Sequence, residues 1–115
     1  MRTREPEYHL GGFEELVLLA IIRLQKDAYG VKIRQLLEEE VRRTVSLGSV
    51  YTTLDRLEHK GYVSSFLGEA TAERGGKAKR FFEVEGGGAE ALSQVMNARN
   101  RLITGIESDL LPSFT

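Results

Sequence analysis

Small and hydroxyl-bearing side chains are concentrated at the start of a helical pattern that runs from Ser46 to Lys60. Ser46 is a favourable N-cap residue, and Val50, Leu54 and Leu57 fall on one face at about 100° per residue. The opposite face carries Gly48, Ser49, Thr52, Asp55, Arg56 and His59, with Tyr51 and Thr53 beside it. Small residues allow close approach to another molecule, and hydroxyl groups can bond phosphates or base edges.

This pattern is typical of a helix whose N-terminal end enters the major groove of DNA. In that interpretation Ser46 and Tyr51 contact phosphates, and the bases are read by Ser49, Thr52, Thr53 and Arg56. A solvated amphipathic helix with a serine cap explains the same residues, and it is the stronger interpretation when they are considered alone. The acidic side chains of Asp55 and Glu58 also count against a groove-facing surface.

Positive charges gather in a second segment, just before a short apolar run. Arg74, Lys77, Lys79 and Arg80 fall within seven residues that hold no acid. The two glycines after Arg74 allow a tight backbone turn. A basic tip of this kind can lie along the phosphates or enter the minor groove of DNA. A solvated charged turn is the common alternative, but the two segments together favour DNA binding more than either alone.

The rest of the pattern supplies the elements that would position these segments. Phe13–Leu24 is almost wholly apolar, which favours a helix buried on more than one side over a long buried strand. A second helix is predicted over Val31–Val41, and the aromatic and β-branched runs Tyr62–Leu67 and Arg80–Val84 predict a β-hairpin. The predicted fold is mainly α with a small β-hairpin, organised as a flexible arm (1–11), a winged helix-turn-helix domain (12–85) and a C-terminal dimerisation helix (86–115).

The C-terminal helix is predicted to supply the dimer contact. Helical periodicity resumes at Ala89 and lasts to Leu111, just before Pro112, and Gly86–Gly88 resemble a flexible joint. Apolar residues there alternate steps of three and four, which is typical of a heptad seam that needs a partner. Folding back on the same domain is the alternative. The predicted dimerisation residues are Leu16, Leu19, Leu92, Met96, Arg99, Ile103, Ile106 and Leu110.

Composition excludes several classes of protein. The chain has 115 residues and a net charge of −1, so it fits one domain and its total charge does not by itself indicate DNA binding. It has no cysteine, and His9 and His59 have no partner at metal-ligand spacing, so we expect no metal, cofactor or disulfide. Without a nucleophile motif or phosphate loop, an enzyme is not expected. An apolar run of about 18 residues and a signal peptide are both lacking, so we expect a cytoplasmic protein without membrane contact.

Two segments resemble the PadR family of transcription regulators. Residues 48–63 include Val-Tyr-Thr-Thr-Leu-Asp-Arg-Leu-Glu-His-Lys-Gly, and residues 76–84 read Gly-Lys-Ala-Lys-Arg-Phe-Phe-Glu-Val. The likeness extends over roughly residues 10–105, in the same order as in the family. The chain departs from it at Thr52 and Ala78, where many members have proline.

The resemblance implies a homodimeric repressor that binds inverted-repeat operators in double-stranded DNA and is released by a small molecule or another signal. It also implies the short-tailed branch of the family, in which the first and last helices form the dimer contact, sometimes around a ligand pocket. Two other functions stay open at this point. One is a winged helix that binds another protein and has no DNA operator, and the other is a ligand-binding protein with its pocket between helices.

Overall fold

The apolar first helix organises the fold, because residues on several of its faces pack against different elements. The computed structural model describes residues 10–68 and 78–111. In chain order the described elements are α1 (Gly12–Leu24), a short 3₁₀-helix (Gln25–Asp27), α2 (Gly30–Val41), α3 (Leu47–His59), β1 (Val63–Leu67), β2 (Arg80–Val84), α4 (Gly86–Thr104) and a second 3₁₀-helix (Ser108–Leu110). This order confirms the predicted class, mainly helical with one small hairpin.

The core lies where α1 meets α2, α3 and the hairpin. Leu18 of α1, Ile33 of α2 and Leu54 and Leu57 of α3 are fully buried, and Phe82 of β2 is 1% exposed. Burying one such side chain contributes about 1.5–3 kcal/mol before the entropy cost of ordering it. The core thereby fixes the orientation of α3 relative to the hairpin.

Glu38 fixes the turn between α2 and α3. Its carboxylate accepts hydrogen bonds from Arg34 at 2.8 Å and from the Val45 backbone N–H at 3.0 Å. Arg42, which ends α2, has a φ of 63° in the left-handed region that commonly terminates helices. These contacts set the angle at which α3 leaves the turn.

The hairpin is tied to the body of the protein by its second strand. β1 and β2 pair antiparallel, with Val63 opposite Val84 at the end nearest the core. The Phe82 N–H donates to the Ala28 carbonyl at 2.8 Å, so the loop before α2 lies along the outer edge of β2. The hairpin is therefore held from both α3 and the α1–α2 connection.

α4 differs from its predicted bounds at both ends. Gly86–Gly88, which the sequence predicted as a joint, form its first turn. The helix ends at Thr104 rather than Leu111, and Gly105 follows it as a residue of low helix propensity. The predicted helix was therefore too long at its C-terminal end and too short at its N-terminal end.

Candidate nucleic-acid interface

The solvent-exposed face of α3 carries polar residues at helical spacing. Ser49, Thr52 and Arg56 are all exposed and lie three and four residues apart, so they share one side of the helix. Ser46 caps the helix, with its Oγ accepting from the Ser49 N–H at 3.1 Å. The Ser49 hydroxyl donates to the Ser46 carbonyl at 2.9 Å and still has acceptor capacity. These residues form a surface that can offer hydroxyl groups and one guanidinium to a ligand.

Thr53 does not belong to that surface. The sequence places Thr53 beside the exposed face and predicts that it contacts a base, but the residue is only 4% exposed. It follows Thr52 by one residue, which turns it by about 100° toward the side occupied by Leu54 and Leu57. Its burial therefore contradicts the predicted base contact.

Tyr51 joins α3 to the start of α2. A Cβ added to Gly30 would lie 2.4 Å from the Tyr51 hydroxyl oxygen, so the ring fits across α2 only because position 30 is glycine. Tyr51 nevertheless remains 38% exposed. Its hydroxyl therefore lies at the N-terminus of α2, where backbone N–H groups favour an anion such as phosphate.

The end of the hairpin that lies farther from the core adds a cation to the same region. Tyr51, Lys79 and Arg80 all line a shallow hollow of about 400 Å³ between α2, α3 and the hairpin. The Lys79 ammonium lies 4.7 Å from the centroid of the Tyr29 ring, in cation–π contact. The structure thus brings together predicted contacts from both the helix and the hairpin.

Arg80, another predicted contact, has a partner inside the chain. Its guanidinium forms an ion pair with Glu58 of α3, and it lies 5.1 Å from the centroid of the Phe82 ring. The two remaining predicted wing contacts, Arg74 and Lys77, lie outside the described residues. Lys79 is therefore the described wing cation that is oriented without an acidic partner.

Sequence reasoning missed one cation beside the cap of α3. Arg43 follows the end of α2 and lines a second hollow together with Thr44, Ser46 and Ser49. Its position was a useful signal, since it follows the C-terminus of α2, where a cation is favoured, and precedes the Ser46 cap by three residues.

Several described cations form no ion pair with another described residue, and three of them lie around α3. Arg43, Arg56 and Lys79 form no ion pair with another described residue, whereas Arg23, Arg34 and Arg99 each do. The exposed Asp55 opposes this charge in part. A protein with a net charge of −1 thus still presents positive charge around one helix.

Two buried carboxylates tie α1 to distant elements. Glu14 accepts both hydrogen bonds of Lys60, each at 2.9 Å, and one from the Gly11 N–H at 2.7 Å. Burial alone would raise the pKa of Glu14, but these hydrogen bonds outweigh it and the pKa is lowered. Glu15 accepts two hydrogen bonds from Arg99 of α4 at 3.0 Å. The first pair anchors the C-terminal end of α3, and the second anchors α4.

The predicted dimerisation residues divide into two groups. Leu92 is 6% exposed and Met96 packs against the core, so both are already used within the chain, and Leu16 is half-buried against that core. The exposed members are Leu19, Arg99, Ile103, Ile106 and Leu110. Ile106 and Leu110 lie beyond the end of α4, so the predicted continuous heptad seam is wrong for that segment.

An open cleft of about 680 Å³ lies between the end of α1 and the hairpin. Its lining is mainly apolar and comes from Ile21, Ile22, Gln25, Lys26, Phe66, Gly68, Phe81, Phe82, Glu83 and Val84. Within the described ranges, no group of three His, Cys, Asp or Glu residues could hold a metal ion, and no helix is long and apolar enough to cross a membrane.

Comparison with known protein families identifies the fold and its class. The family model described as "Transcriptional regulator PadR-like family" matches residues 18–94, which is more than half of the chain and includes α3 and the hairpin. No curated protein matches the chain.

Solved structures of similar fold point to the same class. A PadR-like transcription factor from Bacteroides fragilis is 26% identical, with a TM-score of 0.64 over 81% of this chain and 85% of that one. PadR family regulators from Eggerthella lenta (22% identity, TM-score 0.62, 78% and 76% covered) and Bacillus cereus (18%, 0.65, 85% and 93%) share the fold. The chain belongs to the PadR-like family of transcriptional regulators and is a DNA-binding transcription regulator rather than an enzyme.

Proposed function

We propose that this regulator is a homodimeric repressor that binds an inverted-repeat operator through α3 and the hairpin. The observation that carries the proposal is the hollow shared by Tyr51 of α3 and Lys79 at the outer end of the hairpin, beside the exposed face of α3. A DNA backbone lying over that hollow would meet a hydroxyl, an ammonium and the N-terminus of α2 together.

Base reading is assigned to the exposed polar face of α3. Ser49 and Thr52 lie in its first two turns, the part of a recognition helix that enters the major groove. Arg56 lies one turn further along, where its guanidinium reaches either a guanine edge or a phosphate. Their small neighbours, including Gly48 with no heavy atom within 4 Å of an added Cβ, leave room for close approach.

Phosphate contacts are assigned to the residues around this face. The described contributors are Ser46, Tyr51 and Lys79, with Arg43 added beside the helix cap. Arg74 and Lys77 extend the set as predictions from the sequence. These contacts position the protein without specifying sequence, so their loss should weaken binding to all DNA alike.

The second subunit is assigned to the exposed apolar surface of α1 and the distal part of α4. Leu19 and Ile22 are 41% and 48% exposed, and Leu102 and Ile103 are 73% and 39% exposed. A second copy of the chain, related by twofold symmetry, would bury both surfaces in one contact. Two copies of α3 would then meet successive major grooves about one turn of DNA apart, which favours an inverted-repeat site.

A small-molecule effector completes the proposal. The 680 Å³ cleft has the size of a ligand site and touches the hairpin through Phe66 and Phe82, so an occupant would lie against the wing. With DNA as its partner, the protein acts in the cytoplasm. Reporter transcription from a promoter overlapping the operator should fall when the protein is present and recover when an effector is added.

Selection from a pool of random duplexes tests the proposal. Purified protein should enrich sequences with two inverted half-sites whose centres lie about 10 base pairs apart. Placing an enriched site over a reporter promoter then tests repression. Failure to enrich any sequence would contradict the proposal and favour the protein-binding winged helix, whereas enrichment of single half-sites would contradict the dimer.

A further inference from the structure

Glu58 of α3 connects the recognition helix to both strands of the hairpin. Its carboxylate accepts a hydrogen bond from the Ser65 hydroxyl of β1 at 2.7 Å. The other carboxylate oxygen accepts from the guanidinium of Arg80, the first residue of β2. One side chain therefore spans three elements.

The Arg80 half of this contact lies at the hairpin end that is farthest from the core, whereas Ser65 lies in the middle of β1. The inner end, where Val63 faces Val84, is fixed by burial, since Val63 is 2% exposed. Arg80 faces Leu67 at the outer end, and Leu67 is 74% exposed. Phe81, next to Arg80, is only 8% exposed, so apolar packing also holds this part of the hairpin. The hydrogen bonds of Glu58 add a direct polar connection between it and α3.

The same contact neutralises a cation that the sequence assigns to DNA. Arg80 is 41% exposed and Glu58 34%, so the ion pair is accessible to solvent but each partner keeps a defined position. A guanidinium held by a carboxylate and lying against the Phe82 ring has fewer donors left for a phosphate. A phosphate would also have to approach the negative charge of Glu58.

We propose that Glu58 is a positioning residue that keeps the Arg80 guanidinium in an ion pair instead of leaving it free for a phosphate, and that it helps to set the angle between α3 and the wing. The proposal rests on the interface described above, and it reassigns Arg80 from a phosphate contact to the arm of this connection. Its consequence concerns specificity. When this angle is fixed, α3 and the wing can bind together only to DNA in which the major groove and the phosphate contacted by the wing lie at one particular distance from each other.

The variant Glu58→Gln tests this role, because it removes the charge and keeps the side-chain shape. Partly exposed ion pairs add little to stability, so the variant should fold. We expect the affinity for a selected operator, divided by the affinity for a shuffled duplex, to decrease by a factor of about 2 to about 100. Affinity for the shuffled duplex should rise, and its salt slope should steepen by about 0.9 as Arg80 becomes free to bind a phosphate.

The variant Arg80→Gln distinguishes the proposed role from a direct contact between Arg80 and a DNA phosphate. Under the proposal, it lowers the affinity ratio as Glu58→Gln does, leaves the salt slope unchanged, and adds no further loss in the double variant. Equal weakening on both duplexes with a slope reduced by about 0.9 would overturn it, because Arg80 would then be a phosphate contact. Glu90→Gln, which removes an exposed charge from α4, controls for net charge and should leave the ratio unchanged.

Amide hydrogen exchange of the free protein supplies a readout that does not depend on DNA. Glu58→Gln should speed exchange in the outer part of β1, at Ser65 and Phe66, and leave α1 unchanged. Unchanged exchange in β1 would overturn the proposal even if the wild type binds no specific sequence. A wild type that shows no sequence preference, together with faster exchange in the variant, would instead count against the proposed operator alone.

Discussion

Gly88, in the first turn of α4, lies so close to Tyr62 that a Cβ at position 88 would be 2.3 Å from the Tyr62 carbonyl oxygen. The backbone of Tyr62 cannot easily move, because its carbonyl also accepts the Glu85 N–H at 2.9 Å. This close contact between Gly88 and Tyr62 fixes the position at which α4 leaves the winged domain. The glycine is therefore required for packing rather than for a hinge.

Gly88→Ala should destabilise the protein, by about 1–3 kcal/mol, because the added methyl group overpacks a rigid contact. Gly86→Ala is the matched control in the same helical turn, since a Cβ there meets nothing within 4 Å. The control should be neutral or stabilising by up to about 1 kcal/mol, the helix-propensity difference between the two residues. Urea unfolding at equal protein concentration measures both, and equal stabilities for the two variants would contradict the close contact.

Glu14 should make stability depend on pH in the acid range. Its pKa is lowered in the folded protein from a reference value of 4.5, so its contribution is complete above that value and is lost as the pH falls through the folded pKa. Glu14→Gln should cost about 1 kcal/mol at neutral pH, because the hydrogen bonds of Lys60 and Gly11 lose their charged acceptor.

The difference between wild type and Glu14→Gln should shrink as the pH falls below the reference value of 4.5 and through the lowered pKa of the folded protein, because the wild-type carboxylate becomes protonated. Urea unfolding over a pH series measures this convergence. Glu39→Gln, at an exposed position of α2, serves as the control and should leave the acid-range pH dependence of stability unchanged. A stability gap for Glu14→Gln that stays constant down to acid pH would contradict the ion-pair explanation.

Neighbouring threonines of α3 should behave differently. Thr52→Val replaces an exposed hydroxyl and should change which sequences are preferred, by about 1–3 kcal/mol at one base position. Thr53→Val alters a residue that is 4% exposed and should leave the sequence preference unchanged, with any effect confined to stability. Repeating the duplex selection with each variant measures the preference. A changed preference in Thr53→Val alone would contradict the orientation of α3.

Ile103→Glu should separate the subunits. The residue is 39% exposed on the distal part of α4, and a carboxylate there cannot be buried in an apolar contact without a large desolvation penalty. Sedimentation should show a monomer, and affinity for an inverted repeat should fall toward that for a single half-site. Arg101→Glu, an exposed change in the same helix, is the control. A variant that remains dimeric would place the subunit contact elsewhere.

Local sequence patterns predict the element types well because their causes are local. Ser46 as a cap, the apolar spacing of Val50, Leu54 and Leu57, and the aromatic run at β2 each act within a few residues. The errors have non-local causes. Gly86–Gly88 suggest a joint in the sequence, but the contact with Tyr62 requires close approach at Gly88 within a helix.

Local and non-local causes also separate the interface features that the sequence predicts from those that it does not. The helical period of α3 predicts that Ser49, Thr52 and Arg56 are exposed. Thr53 was misassigned because it lies at the border between the exposed and buried faces, where the period alone does not decide whether a side chain is buried. The pairing of Arg80 with Glu58 joins residues 22 positions apart, so no local pattern reveals it. Charge runs alone therefore overstate the number of cations available to DNA.

A salt series of DNA binding by the wild type and Lys79→Ala tests the central claim most directly. The duplexes are the region upstream of the protein's own gene and a random sequence, between about 50 and about 200 mM salt. We predict preference for the upstream region, a linear fall of log affinity with log salt, and a slope that is smaller by about 0.9 in Lys79→Ala. Two results would contradict an operator-binding interface built from α3 and the outer end of the hairpin: equal affinity for the upstream region and random DNA, or an unchanged slope in the variant.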